Sequence, residues 1–502
     1  MREGDALRKI GESAELFDDH SPLQLGAAGK YQGAAFTLVG RLQYKYNEGT
    51  WNEWHALFDS AEGQQKSGWL SEDNGRYVIA FDAPLDRGAP TATSLKAGAQ
   101  VMVAGQPWSV ASVSAAKLIA AQGELPHKPN LERGFVVADL RSTRGEVGTL
   151  DYGDAGGTGA ARWSIGRSVA ISELAMTGLT EQAEKTLKGK AVECPSCGAS
   201  LEVKLSTTQS IVCHQCHAVV DVSQGVGGDL QHYAQANGTE PLIPLGSIGT
   251  LALGTAALPW QVVGYAERCE VPGSDEDEQT FWREYLLYHR TEGFAFIVDA
   301  EDGWSWTAPL TGVPSGNGQV VTYGDAVYRR LYDYTGMVTY VLGEFYWQVT
   351  KNQRTFNADY QGTGSASAKR LNREQTGSGR GDDVQQEVVW SGGETLSADA
   401  VMKAFRLAPD KSAALQRDAL PTSFNSSSLL AKIFLGLLIL IVVVMLFRCG
   451  SGGSSNSCDS TRATFGAASS EYQNCLNSNR SGGGYGSSGG AFGGFSSGGG
   501  HK

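Results

Sequence analysis

From about residue 21 to residue 405 the chain is built of short β-branched and aromatic runs. FTLVGRLQYKY, WHALFD, RYVIAF, FAFIVD, VTYVLGEFYWQV and QEVVWS are each closed off by Gly, Asp or Asn. Runs of this kind between turn formers predict β-strands. The period-two series Phe36, Leu38, Gly40, Leu42 and Tyr44 predicts a strand with one buried face. Helical spacing is confined to ISELAMTGLTEQAEKTLKGK at 171–190 and SADAVMKAFRLA at 397–408, each following a Trp-Ser strand. The fold expected is mainly β: two homologous antiparallel β-barrel or sandwich domains, with few helices.

The two domains are read from an internal repeat. Phe36-Thr37-Leu38-Val39-Gly40 returns as Trp260-Gln261-Val262-Val263-Gly264, and Trp51-Asn52-Glu53-Trp54 as Trp282-Arg283-Glu284-Tyr285. Gly68-Trp69 is matched to Gly293-Phe294, Gly123-Glu124 to Gly343-Glu344, Ala138-Asp139 to Ala358-Asp359, and Trp163-Ser164 to Trp390-Ser391. The offsets, 224, 231, 225, 220, 220 and 227, keep their order and drift by only a few residues. The expected organisation is a lead at 1–20, a first repeat at 21–176, a helical linker at 177–190 and a small insert at 191–222. A second repeat at 241–405 and a linker at 406–428 follow.

The alternation of apolar and polar positions stops at Leu429. Residues 429–447, LLAKIFLGLLILIVVVMLF, are 19 in number and broken only by Lys432. At about 1.5 Å per residue a helix of this length nearly matches the roughly 30 Å hydrocarbon layer of a bilayer. Lys432 and Arg448 can snorkel to its two surfaces. One transmembrane helix is therefore expected. The first twenty residues hold no apolar run, so no signal peptide is expected and the large N-terminal part should stay cytoplasmic, with the C-terminus outside. Residues 448–502, with 15 Gly and 13 Ser from 450 onward, cannot bury enough apolar area to offset ordering and should form a disordered tail. Within it, Cys458 and Cys475 could close a disulfide if that side is oxidising.

Charge changes the picture by exclusion. With 41 Lys+Arg against 53 Asp+Glu, a formal net charge of -12, no nucleic-acid partner is expected. The eight Cys are too few for a disulfide scaffold, so their spacing carries the chemistry. Cys194 and Cys197 form one CxxC knuckle, Cys213 and Cys216 another, with 15 residues between the pairs. Two thiolate pairs brought together by a hairpin suit tetrahedral zinc, and four sulfur ligands leave no open position, so a structural Zn2+ ribbon is expected. His214 and His217 adjoin the second knuckle as alternative ligands or outer neighbours.

No phosphate loop, no GxSxG and no HExxH motif occurs, and no catalytic residue is assigned. Trp51, Glu53 and Trp54, repeated as Trp282, Glu284 and Tyr285, are the candidate partner contacts, with the two glutamates as the weaker option of acids in a cleft.

At Tyr44-Lys45-Tyr46 with Trp51-Asn52-Glu53-Trp54, then Gly343-Glu344-Phe345-Tyr346-Trp347 and Val389-Trp390-Ser391, the chain resembles the bacterial domain-of-unknown-function family 4178. The ribbon, the late apolar span and the ending GGAFGGFSSGGGHK are similar to that family's arrangement. The first copy departs from the aromatic GEFYW run, carrying Gly123-Glu124-Leu125-Pro126-His127. The resemblance implies a membrane-associated assembly and brings no activity with it. The expectation is a bacterial inner-membrane, cytoplasm-facing scaffold with a protein partner; an enzyme acting on a small cationic or lipid substrate and an envelope-stress sensor are the alternatives.

Overall fold

Strand pairing runs full circle in each copy. In the first, Ala34–Lys45 pairs with Thr50–Phe58, which pairs in turn with Lys66–Asp73 and Arg76–Asp82. The order continues through Arg162–Val169, Glu146–Asp151, Gly134–Arg141 and Gln106–Gly123, which returns to Ala34–Lys45. Every pairing is antiparallel, which makes an eight-stranded closed barrel. The second copy repeats this order with Ala257–Glu270, Phe281–His289, Gly293–Ala300, Gly303–Pro309, Glu387–Leu396, Lys369–Thr376, Arg354–Gly362 and Ala326–Phe345. The computed structural model describes residues 21–417, with the small pair Arg2–Glu3 and Ala6–Leu7. Short segments at 47–49, 60–64, 74–75, 86–87, 130, 132–133, 155, 158–159, 181–189, 205–207, 223–229, 231, 236–237, 255, 273–278, 290, 350–351 and 377–386 are excepted.

Cross-strand register gives the residue-by-residue correspondence. Tyr44 opposes Trp51 as Arg268 opposes Trp282, and Ala138 opposes Leu150 as Ala358 opposes Arg373. Five of the six repeated motifs fall at matching positions. The sixth does not: Ala56 faces Gly68 and Leu287 faces Ala295, so Gly68-Trp69 corresponds to Ala295-Phe296, two residues beyond Gly293-Phe294. A shift of two keeps every side chain on the same face, which is why the aromatic pattern disguised it.

The simple alternation expected over Phe36–Tyr44 is also corrected. The ladder skips a residue between Leu38 and Gly40, and again between Val262 and Gly264. This bulge flips the strand, so Phe36 and Leu38 face outward while Leu42 and Tyr44 face the lumen. The crossing is tight. A Cβ on Gly123, whose φ is +76°, would strike the Val39 carbonyl; on Gly343, with φ of +88°, it would strike that of Val263.

Both faces of each barrel are buried. The outward faces are apolar: Phe36, Leu38, Trp54, Leu70 and Ile79 are covered by Leu23 and Leu174, and Trp260, Val262, Tyr285 and Ile297 by Ile243, Val401, Phe405 and Leu415. The cover of the second barrel includes the helix Ala398–Phe405, inside the segment expected to be helical, with Ser397 capping it by accepting from the Ala400 N–H. In the first, the short 3-10 turn Ile171–Leu174 is the helical element among the described residues of the other expected helix. The lumens are mixed, with buried acids, amides and hydroxyls set among apolar side chains. The span 429–447, the tail and Cys458 with Cys475 lie outside the described residues; among the described residues no helix is long and apolar enough to cross a membrane.

Candidate metal centre and barrel lumens

The insert forms two hairpin knuckles. Lys190–Glu193 pairs with Ser200–Val203, and Ser210–Val212 with Val219–Asp221. Each knuckle is closed by the same bonds: the Gly198 N–H donates to the Cys194 carbonyl and the His217 N–H to the Cys213 carbonyl, at 2.8 and 2.9 Å. Gly198 and His217 take the same left-handed position, φ +76° and +58°. His217 is thus a backbone counterpart of Gly198, and its Nδ1 lies 3.3 Å from the Tyr340 hydroxyl of the second barrel. His214 is exposed.

The Sγ atoms of Cys194, Cys197, Cys213 and Cys216 all lie within 4.8 Å of one another, a group that could hold a metal ion. Cys194 and Cys216 are 3.7 Å apart and Cys197 and Cys213 3.6 Å, far beyond the roughly 2.05 Å of a disulfide. The Ala218 N–H and the surrounding thiols pull Cys216 down to about 6, whereas burial raises Cys194.

The ribbon is fastened to the second barrel by the GEFYW run. Ser210 and Ile211 add a short strand against Phe345 and Glu344. The Glu344 carboxylate accepts the Lys204 N–H at 3.1 Å and the Thr208 hydroxyl at 2.6 Å. Val212 and Val219 pack with Phe345, Tyr346 and Trp347 in one cluster that reaches Trp282 and Phe296. The first copy has Leu125-Pro126-His127 there, and among the described residues no ribbon strand pairs with it.

The six candidate partner contacts are all buried, which corrects the expectation of surface anchors. Trp51, Glu53, Trp282 and Glu284 point into the lumens; Trp54 and Tyr285 point outward but lie beneath the covering segments. Their polar atoms are used internally. Trp51 and Trp282 donate to Glu53 and Glu284, at 3.4 and 2.8 Å, Trp54 donates to Glu72, and the Tyr285 hydroxyl accepts the Leu242 N–H.

In the second lumen Arg268 lies between two acids. Its Nη1 is 3.2 Å from Glu284 and 3.5 Å from Glu374, and its Nη2 donates to the Thr355 hydroxyl at 3.3 Å. Tyr334 stands edge-on to Trp282, 5.5 Å between centroids. Burial pushes Glu374 up to about 8 despite Arg268, with Glu284 adding to the rise.

The first lumen keeps the acids and changes the centre. By register Glu53 replaces Glu284, Asp151 replaces Glu374, Tyr44 replaces Arg268 and Ser114 replaces Tyr334. Tyr44 stacks on Trp51 at 4.8 Å. A cavity of about 230 Å³ remains, lined by Tyr44, Glu53, Trp69, Phe135 and Asp151 and rimmed by His127 and Lys128. Both lumens retain an aspartate, Asp139 and Asp359, held by Thr149 and Asn372 at 3.2 and 2.7 Å. Sequence reasoning noted these two aspartates only as a repeat marker. An acid repeated inside a strand was the available signal for a polar interior.

No curated protein and no solved structure matches the chain. Residues 24–170 and again residues 244–398 match the family described as Domain of unknown function (DUF4178), and these stretches make up more than half of the chain. Each match spans one barrel. The chain therefore belongs to this family and carries its domain twice.

Proposed function

We propose that this chain is a membrane-held binding protein whose first barrel admits a small molecule while its second serves as support. The cavity carries the reading. Two barrels of one topology differ at the lumen, where Arg268 and the Phe345–Trp347 run fill space that Tyr44 and Leu125-Pro126-His127 leave open. At about 230 Å³ it falls below the roughly 300–1,000 Å³ of drug-sized sites, so the occupant is small. The exposed His127 and Lys128 rim gives entry.

The four-cysteine group supports a structural Zn2+ ion in the ribbon. Zinc–sulfur bonds of about 2.3 Å in a tetrahedron place sulfurs about 3.8 Å apart, close to the 3.6 and 3.7 Å separations here. Four thiolates close the coordination sphere, so the ion would stiffen the ribbon and supply no reaction. The apolar stretch 429–447 would hold the barrels at the inner membrane on the cytoplasmic side. Sodium carbonate extraction tests that anchoring: release of the protein from vesicles would remove it.

Native mass spectrometry of the detergent-solubilised full chain tests the cavity. The wild type should carry a small adduct that Leu125→Phe loses, because phenylalanine restores the bulk of Phe345 at a position lining the cavity. Identical spectra without adduct, from protein prepared from its own cells, would count against the reading. The enzyme alternative shares this cavity and is favoured if the recovered adduct is chemically altered on incubation.

A further inference from the structure

The second barrel contains its own ligand. Its Arg268 guanidinium occupies a lumen site made by Glu284, Glu374 and the Thr355 hydroxyl, with the Trp282 ring 6.0 Å from its central carbon. A fully buried cation persists only where opposite charges and oriented dipoles surround it. The barrel framework therefore has a demonstrated cation site, and duplication places its counterpart in the first barrel. There the acids remain as Glu53 and Asp151, the tryptophan as Trp51, and the arginine is absent because its position is Tyr44.

Resting on the small-molecule reading above, we propose that the first barrel binds a guanidinium- or amidinium-type cation on a short aliphatic arm, its head beside Glu53 and Asp151. Three observations agree. The cavity reaches both acids and also Asp82, against Lys128 and Arg162, leaving one acid in excess along its wall. Arg162 lines the same cavity and its guanidinium pairs with Asp151, so that acid already accepts a planar cation's hydrogen bonds. The walls include Tyr44, Trp69 and Phe135, aromatic side chains whose faces favour a cation. An arm reaching outward would pass Leu118 and Leu125, both lining the cavity, toward the open rim.

The test is calorimetric titration of the purified full chain with three probes of like length: butylguanidinium, its neutral isostere butylurea, and pentanoate. Butylguanidinium should bind about tenfold or more tighter than butylurea, as expected for losing a charge-assisted bond, and pentanoate should not compete. Tyr44→Arg builds the internal cation of the second barrel into the first and should abolish butylguanidinium binding while raising the melting temperature. Lys96→Gln, at an exposed position outside the cavity, should retain binding. Equal or tighter binding of butylurea or pentanoate overturns the cation assignment and leaves the cavity reading standing. Butylguanidinium binding that survives Tyr44→Arg places the cation elsewhere and also overturns the assignment. If none of the three probes binds a chain whose melting curve is intact, the assignment falls, and the native-mass adduct decides the cavity reading separately.

Discussion

Arg268 and Tyr44 stand at the same register position of two like barrels, each paired across the sheet with a tryptophan, Trp282 and Trp51. The second lumen carries its own cation at this position, where the first carries a tyrosine beside an open volume.

Arg268→Ala should destabilise the second barrel strongly. Glu284 and Glu374 would be left buried around a void, and breaking a buried pair from one side costs about 3–5 kcal/mol. Urea unfolding followed by tryptophan fluorescence measures this; a loss below about 1 kcal/mol would mean the lumen hydrates or the acids protonate freely.

The pH dependence of that barrel has a definite sign. Glu374 rises to about 8 in the folded protein, above the ordinary carboxylate range, chiefly by burial. The folded state then holds a proton that the unfolded state has lost between about pH 4.5 and 8, so stability falls as pH rises through that window. The slope is at most about 1.4 kcal/mol per pH unit. Glu374→Gln should flatten it, as read from melting temperatures between pH 5 and 8. An unchanged slope would assign the titration to another group.

Metal removal should loosen the ribbon before the barrels. Chelation, or Cys213→Ser, is expected to raise hydrogen exchange across 190–222 and along 344–349, because Ser210 and Ile211 pair directly with Phe345 and Glu344. The first barrel should keep its protection. Glu344→Ala should produce the same loosening with the thiolates intact, since the Lys204 N–H and Thr208 hydroxyl lose their acceptor. Protection unaltered by either treatment would separate the ribbon from the second barrel.

Gly123→Ala and Gly343→Ala should each destabilise by more than the roughly 1 kcal/mol of an ordinary glycine change. Both glycines are left-handed, and an added methyl meets the carbonyl of Val39 or Val263. Thermal melts showing no loss for either would mean that the bulged crossing relaxes without cost.

The duplication, the β-rich class, the helix near 398–405 and the two cysteine knuckles were legible because each is written locally, in alternation, in spacing or in a repeated word. The aromatic GEFYW run was equally visible, but its role as a docking platform was not, since that depends on Ile211 and Glu344 meeting across more than 130 residues of chain. The same limit made Trp51, Trp54, Trp282 and Tyr285 candidate partner contacts: an aromatic residue in a strand has no intrinsic side, and closure of the barrel buried them.

By itself the sequence determined that the chain holds two copies of one strand-rich unit around a four-cysteine insert. Local backbone preference and short-range ligand spacing suffice for that. Only the tertiary structure decided which face of each strand looks inward, because one bulge between Leu38 and Gly40 reverses every position after it. Closure then gathered Tyr44, Glu53, Ser114 and Asp151 from four different strands into one lumen, a neighbourhood that separation along the chain conceals.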